Sequence, residues 1–146
     1  MKIIEQEEVR KLLQPKDCIQ LMAEALKGLE SGEYAQPARL ITVMPNTAKF
    51  GFMPAYVGDY FGAKVISAFA PNMGTKYPSH IGYVMLFESA HSTVAGMIEA
   101  GSITEIRTGA VSAAATDLLA RKDSHKLALI GAGAQARSHL AAISEI

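Results

Sequence analysis

The sequence predicts an α/β protein in two parts, and three observations support this fold class. Short β-patterned runs follow one another between residues 40 and 98. Helical patterns lie on both sides of that region, at 15–31 and from about residue 102. Near the C-terminus, an apolar run leads through a glycine-rich turn into another helical pattern. We therefore expect an α+β domain with a mixed sheet over residues 1–120, and the first strand–turn–helix of a second domain over 121–146.

The first elements are a short strand and an amphipathic helix. Ile3 and Ile4 suggest the strand, and the helix is predicted from Pro15 to Ser31. Pro15 suits a first helical turn, and Gly32 is placed to end the helix. One apolar stripe is expected to face the core. It consists of Ile19, Met22, Ala23, Leu26 and Leu29.

The central region reads as a sheet. Its runs are "LITVMP", "FGFMPAYV", "FGAKVISAFA", "HIGYVMLFE" and "STVAGMI", and they are separated by turn residues. Short connections of this kind predict a largely antiparallel or mixed sheet. Both alternating sets in "IGYVMLF" are apolar, so that strand is expected to be covered on both faces.

A second helix is predicted from Ser102 to residue 120. Ser102 and Glu105 have the spacing of a capping box. The helix is rich in Gly, Ala and Ser on every side, which would let another backbone pass close to it and suits a helix that links two domains. The polar stretch "ARKDSHK" is then a connector.

The C-terminal segment matches the fingerprint of a Rossmann dinucleotide-binding domain. The strand "KLALI" leads into "GAGAQA", which places Gly131, Gly133 and Ala136 in a G-x-G-x-x-G/A pattern before a helix. Such a turn presents backbone N–H groups to a pyrophosphate. The alternative is an ordinary strand–turn–helix with small residues in its turn. The acidic residue that contacts the ribose would lie beyond Ile146, so NAD and NADP both stay open.

Three basic residues are candidates for an anion site. Arg107 is expected in the first turn of the second helix, where a cation is unfavourable unless an anion binds nearby. Lys64 interrupts an apolar strand, and burial there would lower its pKa. Arg39 precedes an apolar strand. Taken singly, each is better explained as a solvated surface charge.

The remaining chemistry-bearing residues and the composition exclude several function classes. His80 and His91 flank one hairpin without ligand spacing, so no metal site is expected, and His125 and His139 are interpreted as solvated. The 14 basic and 14 acidic residues balance, which argues against nucleic acid or an anionic membrane as partner. No apolar run approaches the roughly 18 residues that span a bilayer. With a charged N-terminus and the single Cys18, the sequence predicts a soluble cytoplasmic protein.

Taken in order, several segments resemble the ornithine cyclodeaminase/mu-crystallin family. The resemblance covers the whole chain, and the pairing of the "RT-x-A-x-S" helix with G-x-G-x-Q-A is its most specific part. Family members are roughly twice this length, so the chain is expected to be the N-terminal part of such a protein, truncated within its cofactor domain. The segments are "PAR" at 37–39, "FMPAY" at 52–56, "GAKVIS" at 62–67, "PSH" at 78–80, "ITEIRTGAVSAAAT" at 103–116 and "LIGAGAQA" at 129–136.

The resemblance implies a site for an amino or imino acid beside NAD or NADP, in a protein that dimerises through its N-terminal domain. Arg39, Lys64 and Arg107 would hold the substrate carboxylate, and Lys64 would also serve the imine as the catalytic residue. Other residues would contact the cofactor. These are Ser79, His80, Arg107 and Thr108, with Gly131, Gly133, Ala134, Gln135 and Ala136 at the phosphates.

The implied chemistry is hydride transfer at the substrate α-carbon through an imine. The net reaction would be either cyclodeamination, as a lyase, or ketimine reduction and amino-acid dehydrogenation, as an oxidoreductase. Gly51 occupies the position where the ornithine enzymes carry an acid for the distal amine, which favours a ketimine or a simpler amino acid. The alternatives are a non-catalytic, crystallin-like protein that binds small molecules or dimerises, and an inactive truncated product.

Overall fold

A computed structural model describes residues 1–146. Its regular elements alternate between strands and helices, with the sheet strands grouped in the middle of the chain. They are β1 (Lys2–Ile4), α1 (Gln6–Leu12), α2 (Pro15–Ser31), β2 (Leu40–Val43), β3 (Lys49–Val57), β4 (Tyr60–Ala68), a 3₁₀ turn (Ala70–Asn72), β5 (His80–Glu88), β6 (Val94–Glu99), α3 (Ala100–Leu119) and α4 (Ala134–Ile143).

The sheet has six strands in the order β1-β6-β5-β4-β3-β2. Strands β2 to β6 form an antiparallel meander, and β1 pairs with β6 in parallel. This confirms the predicted mixed sheet. Helices α2 and α3 pack against each other, and α3 also contacts β5.

Helix α2 has the bounds that the sequence predicts. Gly32 adopts the left-handed conformation at φ +80°, which a glycine takes without strain, and its N–H donates to the Leu29 carbonyl. Its predicted apolar stripe, however, is only partly covered, because Leu26 and Leu29 are 50% and 38% exposed. These two side chains line a groove instead of a closed core.

Strand β5 is less buried than the sequence predicts, and the chain has one helix more. Every residue from Gly82 to Glu88 is half-buried, so both faces of the strand are partly covered. Helix α1 was not predicted, because seven residues are too few for a clear apolar period. It is held to α3 by an ion pair between Arg10 Nη2 and Glu105 Oε2 at 2.6 Å.

The predicted start of the linking helix is wrong by two residues. Helix α3 begins at Ala100, and the Glu99 carboxylate accepts hydrogen bonds from the N–H groups of Gly101 and Ser102. Ser102 therefore lies inside the first turn, where its buried hydroxyl has no partner. Glu105 pairs with Arg10 and forms no capping box. The acid at the N-cap accepts from the first free amides of the helix, among them the Ser102 N–H that the Glu105 side chain was expected to bond.

The small residues of α3 perform the role that the sequence suggests. Ala110, Ala113 and Gly109 are buried. A Cβ at Gly109 would lie 2.7 Å from the Ser138 carbonyl carbon of α4, so only glycine permits this approach. Close packing of α3 on α4 therefore depends on the absence of a side chain at residue 109.

The predicted strand over residues 126–130 does not form. The segment has no regular structure, and Ile130 is fully exposed. A β-strand needs a neighbouring backbone to bond, and all six strands of the sheet pair among themselves elsewhere. Helix α4, which follows the glycine turn, does form. None of the helices combines the length and apolarity that crossing a membrane requires.

Candidate anion-binding groove and glycine turn

A groove of about 700 Å³ opens beside the start of strand β2. Strand β2 pairs only as far as Phe52, so the remainder of β3 has a free edge. Pro54, which has no N–H to donate, is tolerated at this edge. The segment 34–39 crosses the same edge, and Ala35 bridges to Tyr56. The groove lies between this segment, helix α2, helix α3 and the sheet.

The walls of the groove are largely apolar, and no Asp or Glu lines them. Gly51, where the ornithine enzymes would carry an acid, is buried in β3 and lies outside the lining. A Cβ at residue 51 would lie 2.9 Å from Ile66 Cγ1, so the space beside it is already filled. The apolar lining includes Met22, Leu26, Leu29, Tyr34, Met53, Tyr56, Phe61, Val84 and Val111.

Arg39, Lys64 and Arg107 line this groove together. They come from the loop before β2, from the middle of β4 and from α3. Lys64 lies opposite Met53 on β3 and Val84 on β5, at the centre of the sheet. Residues 68 positions apart in sequence, Arg39 and Arg107, thus reach one site only because the sheet and α3 are folded against each other.

Lys64 is held by a neutral partner. Its Nζ donates to Thr104 Oγ1 at 3.3 Å, and that hydroxyl donates to the Ala100 carbonyl at 2.6 Å. The pKa of Lys64 is lowered by burial first, and then by the positive charges of Arg107 and Arg39. The effect of Arg107 and Arg39 on the pKa of Lys64 agrees with the three residues lining one groove.

None of the three cations forms an ion pair within the chain. Lys64 and Arg107 are half-buried and Arg39 is exposed. Like charges that share a groove without a carboxylate repel one another, and an incoming anion would relieve that repulsion. A carboxylate is the group best suited to such a set, because it accepts hydrogen bonds from several donors at once. The groove can therefore bind an anionic head beside an apolar body.

The prediction that Arg107 lies in the first turn of its helix is wrong. Since α3 begins at Ala100, Arg107 lies about two turns inside the helix and not in its first turn. The amides at the helix start are occupied by the Glu99 carboxylate. Arg107 faces the groove from the helix body, and the field of the helix terminus has no part in its placement.

Ser79, His80 and Thr108 do not line the groove. Ser79 Oγ and His80 Nδ1 lie 3.2 Å apart at the start of β5. The Thr108 hydroxyl donates to the Thr104 carbonyl at 2.6 Å and is thus occupied within α3. The structure brings the three basic residues together and leaves these three outside that site.

The glycine turn has the local geometry that a phosphate group requires. Gly131 has φ +107°, and nothing lies within 4 Å of a Cβ built at Gly131 or Gly133. Gly133 is the N-cap of α4, and no side chain caps the helix. The first amides of α4, from Ala134 to Ala136, are therefore open toward an anion. These residues fit the phosphate end of a dinucleotide.

Two functional candidates escaped the sequence reasoning. The prediction that His139 is solvated is wrong, because the residue is half-buried. Its Nε2 lies 2.9 Å from Ser112 Oγ, and its Nδ1 lies 2.7 Å from the Gln135 carbonyl oxygen. Thr104 holds Lys64. Ser112 and His139 are 27 residues apart, so no local pattern could have linked them. No cluster of three His, Cys, Asp or Glu side chains forms anywhere in the chain.

Comparisons with known proteins agree with this architecture. The mouse protein "Ketimine reductase mu-crystallin" is 35% identical over 127 residues, which is 85% of this chain and 40% of that protein. The structure of Thermococcus litoralis Δ¹-pyrroline-2-carboxylate reductase with NADH and L-proline has a TM-score of 0.91 at 32% identity, covering 99% of this chain and 46% of that one. An archaeal alanine dehydrogenase dimer with bound NAD has a TM-score of 0.92 at 26% identity, with 98% and 44% covered.

The chain thus spans less than half the length of the relatives that it matches. The match to the family profile extends over residues 1–146 without a break. Because fold, segment order and profile agree over the full chain, it belongs to the ornithine cyclodeaminase/mu-crystallin family.

Proposed function

We propose that the whole protein is an NAD(P)-dependent enzyme acting on an amino acid or cyclic imino acid. Hydride transfer takes place at the α-carbon through an imine. Residues 1–120 form the substrate-binding and dimerisation domain, and residues 121–146 begin the dinucleotide-binding domain. The observation that carries this proposal is the convergence of Arg39, Lys64 and Arg107 on one groove that has no acidic residue.

The three cations hold the substrate carboxylate. Arg107 and Arg39 offer planar donors that suit a carboxylate, and Lys64 adds a third donor from the sheet. The carboxylate fixes the neighbouring α-carbon relative to β4 and α3, so that the reacting centre is oriented before reaction. The unpaired state of the cations in this chain supports an anionic ligand as their partner.

Lys64 is proposed as the catalytic residue that exchanges a proton at the imine nitrogen. Its lowered pKa, caused by burial and by Arg107 and Arg39, brings its proton affinity closer to that of an imine. Thr104 holds the Nζ through its hydroxyl and so keeps the amine directed across the groove. Lys64 on β4 would thus contact both the carboxylate and the imine of the substrate.

Gly131, Gly133, Ala134, Gln135 and Ala136 are proposed to hold the dinucleotide phosphates, with Ser79, His80, Arg107 and Thr108 nearer the nicotinamide. The open, uncapped start of α4 supports this assignment. When bound, NAD or NADP supplies or accepts the hydride. The relatives with NADH or NAD bound support the same choice of cofactor.

The lining of the groove favours ketimine reduction or amino-acid dehydrogenation over cyclodeamination of a diamino acid. A distal ammonium group would meet no carboxylate on the walls that this chain supplies, and its desolvation would go uncompensated. An aliphatic or ring side chain instead contacts Met53, Val84 and Leu26. The substrate is therefore expected to be apolar beyond its α-carbon.

A homodimer formed through the N-terminal domain is also proposed. Strands β2 and β3 expose large apolar side chains, among them Leu40, Val43 and Phe50 at 63%, 64% and 42% exposure. Apolar surface of this extent is typical of an interface.

The test measures NADH oxidation by the whole protein with Δ¹-pyrroline-2-carboxylate, and ammonia release with ornithine. We expect reduction of the cyclic imine and little ammonia. Lys64→Met, which keeps the stem and removes the charge, should lower kcat/KM by about 100-fold or more. Lys49→Met, on the neighbouring strand and outside the groove, is the matched control and should stay within about twofold. Equal rates for the two variants would exclude Lys64, and failure with every amino and imino acid would exclude the function.

A further inference from the structure

Helices α3 and α4 are joined by one hydrogen-bonded histidine. His139 Nδ1 lies 2.7 Å from the carbonyl oxygen of Gln135, which can only accept, so Nδ1 carries the proton. The other ring nitrogen, Nε2, then accepts from the Ser112 hydroxyl at 2.9 Å. Both nitrogens are used, and this network assigns the tautomer.

The two partners of His139 lie on functionally different elements. Gln135 lies in the first turn of α4, directly after the glycine turn that is proposed to hold the dinucleotide phosphates. Ser112 lies one helical turn beyond Thr108 on α3, the helix whose Arg107 lines the groove. The histidine is thus the polar link between the phosphate turn and the helix that carries part of the substrate site.

The packing around the link leaves little freedom. Gly109 allows the α4 backbone to approach α3, since a Cβ there would lie 3.1 Å from the His139 amide nitrogen. Gly109 has no side chain that could interlock with α4, so this point of closest approach does not itself define the rotation of α4. A directional hydrogen bond supplies that definition.

The same atoms could suggest a Ser–His nucleophilic pair, since a hydroxyl faces Nε2 and Nδ1–H is held by an acceptor. Their location argues against it. Ser112 lies in the middle of a 20-residue helix, and neither it nor His139 lines the groove or the smaller cavity between α1, α3 and α4.

We propose that His139 is a positioning residue, which through Ser112 fixes the open amides of α4 relative to Arg107 and thereby aligns the dinucleotide with the substrate groove. This inference rests on the proposed dinucleotide-dependent function. The histidine touches neither ligand; it acts by orienting the turn that does.

The test measures NADH binding by the whole protein in a fluorescence titration. Ser112→Ala and His139→Asn should each weaken NADH binding by about 3- to 10-fold. The asparagine keeps a donor near the Nδ1 position but does not reach Ser112. The double variant should be no weaker than either single one, because both remove the same bond. Ser112→Thr, which restores the hydroxyl, should restore affinity.

Two controls separate positioning from general damage. Thr116→Ala removes a hydroxyl one turn further along α3 that bonds only the Ser112 carbonyl, and its NADH affinity should not change. The affinity for L-proline, taken as the groove probe, should change less than about twofold in Ser112→Ala.

Specific outcomes overturn the inference. Unchanged NADH binding in Ser112→Ala, or an equal loss in Thr116→Ala, would refute the role of His139 while leaving the proposed function in place. Absence of NADH binding by the unaltered protein would overturn both. Parallel losses of NADH and L-proline affinity would show that the bond only stabilises the fold.

Discussion

Replacing Arg107 by leucine should weaken binding of a carboxylate and, in the opposite direction, relieve the electrostatic strain on Lys64. Arg107 is half-buried and lines the groove with Lys64 and Arg39. A hydrogen bond to a charged group contributes about 1.5–3 kcal/mol, and the open groove places this one at about 1.5–2 kcal/mol. We therefore expect L-proline to bind about 10- to 30-fold more weakly.

The second effect of Arg107→Leu concerns the pKa of Lys64. Burial lowers this pKa most, but Arg107 lowers it next, so removal of the guanidinium should raise it. A lysine whose pKa is depressed in the folded state binds its proton more tightly when unfolded, so stability rises with pH between the folded and unfolded values. The variant should show a smaller rise, because the two values lie closer together.

Calorimetry with L-proline measures the first effect, and carbon NMR of the lysine side chains against pH measures the second. Arg121→Leu is the matched control, because Arg121 lies in the exposed connector, far along the chain from the groove residues, and pairs only with Asp123. An Arg107→Leu protein that binds L-proline normally, or in which the pKa of Lys64 stays the same, would refute the shared anion site.

Four further variants test local structure. Glu99→Ala should lower the free energy of unfolding by about 0.5–2 kcal/mol in urea melts, because the start of α3 loses its cap. Ser102→Ala should lower it little, since the buried Ser102 hydroxyl has no hydrogen-bond partner. An equal loss from both variants would contradict the observed cap. Gly109→Ala should lower Tm although alanine favours helices, because the added Cβ meets the Ser138 backbone; a raised Tm would show that α4 can move away. The amides of Thr93 and His91 hold the pKa of Glu88 below its ordinary 4.5, so its contribution to stability is present above pH 4.5 and is lost as the pH falls through the folded value. Glu88→Gln should flatten that acid loss in denaturant melts at several pH values, and an unchanged slope would exclude Glu88.

The elements that the sequence predicts well are those that local chemistry determines. Pro15 and Gly32 delimit α2 to the residue, because one residue suits a first turn and the other takes a left-handed end. The β-runs become β2 to β6, because turn residues separate them and each finds its partner in the next strand along the chain. The three basic residues of the groove were joined into one site only by the family resemblance, because each taken singly is better explained as a surface charge.

The predictions that fail depend on partners distant in sequence. The run 126–130 has the composition of a strand, but a strand exists only where another backbone bonds it. Ser102 and Glu105 have the spacing of a capping box, but Glu99 and Arg10 provide better partners for the same groups. His139 carries no signal of its own, because its importance lies in Ser112 on another helix.

The convergence of the three cations is itself the strongest physical reason for assigning a binding role to the groove. Each charge close to another of the same sign destabilises the folded chain, and the only hydrogen-bond partner that Lys64 has is the neutral hydroxyl of Thr104. A purely structural site would gain stability from a carboxylate among them, and the groove has none. Under the proposed function the ligand supplies the missing negative charge, and its binding relieves the repulsion among the three cations. The absence of acidic residues from the walls that this chain supplies would also disfavour a second ammonium group on the ligand. Charge balance and substrate preference would then have the same cause.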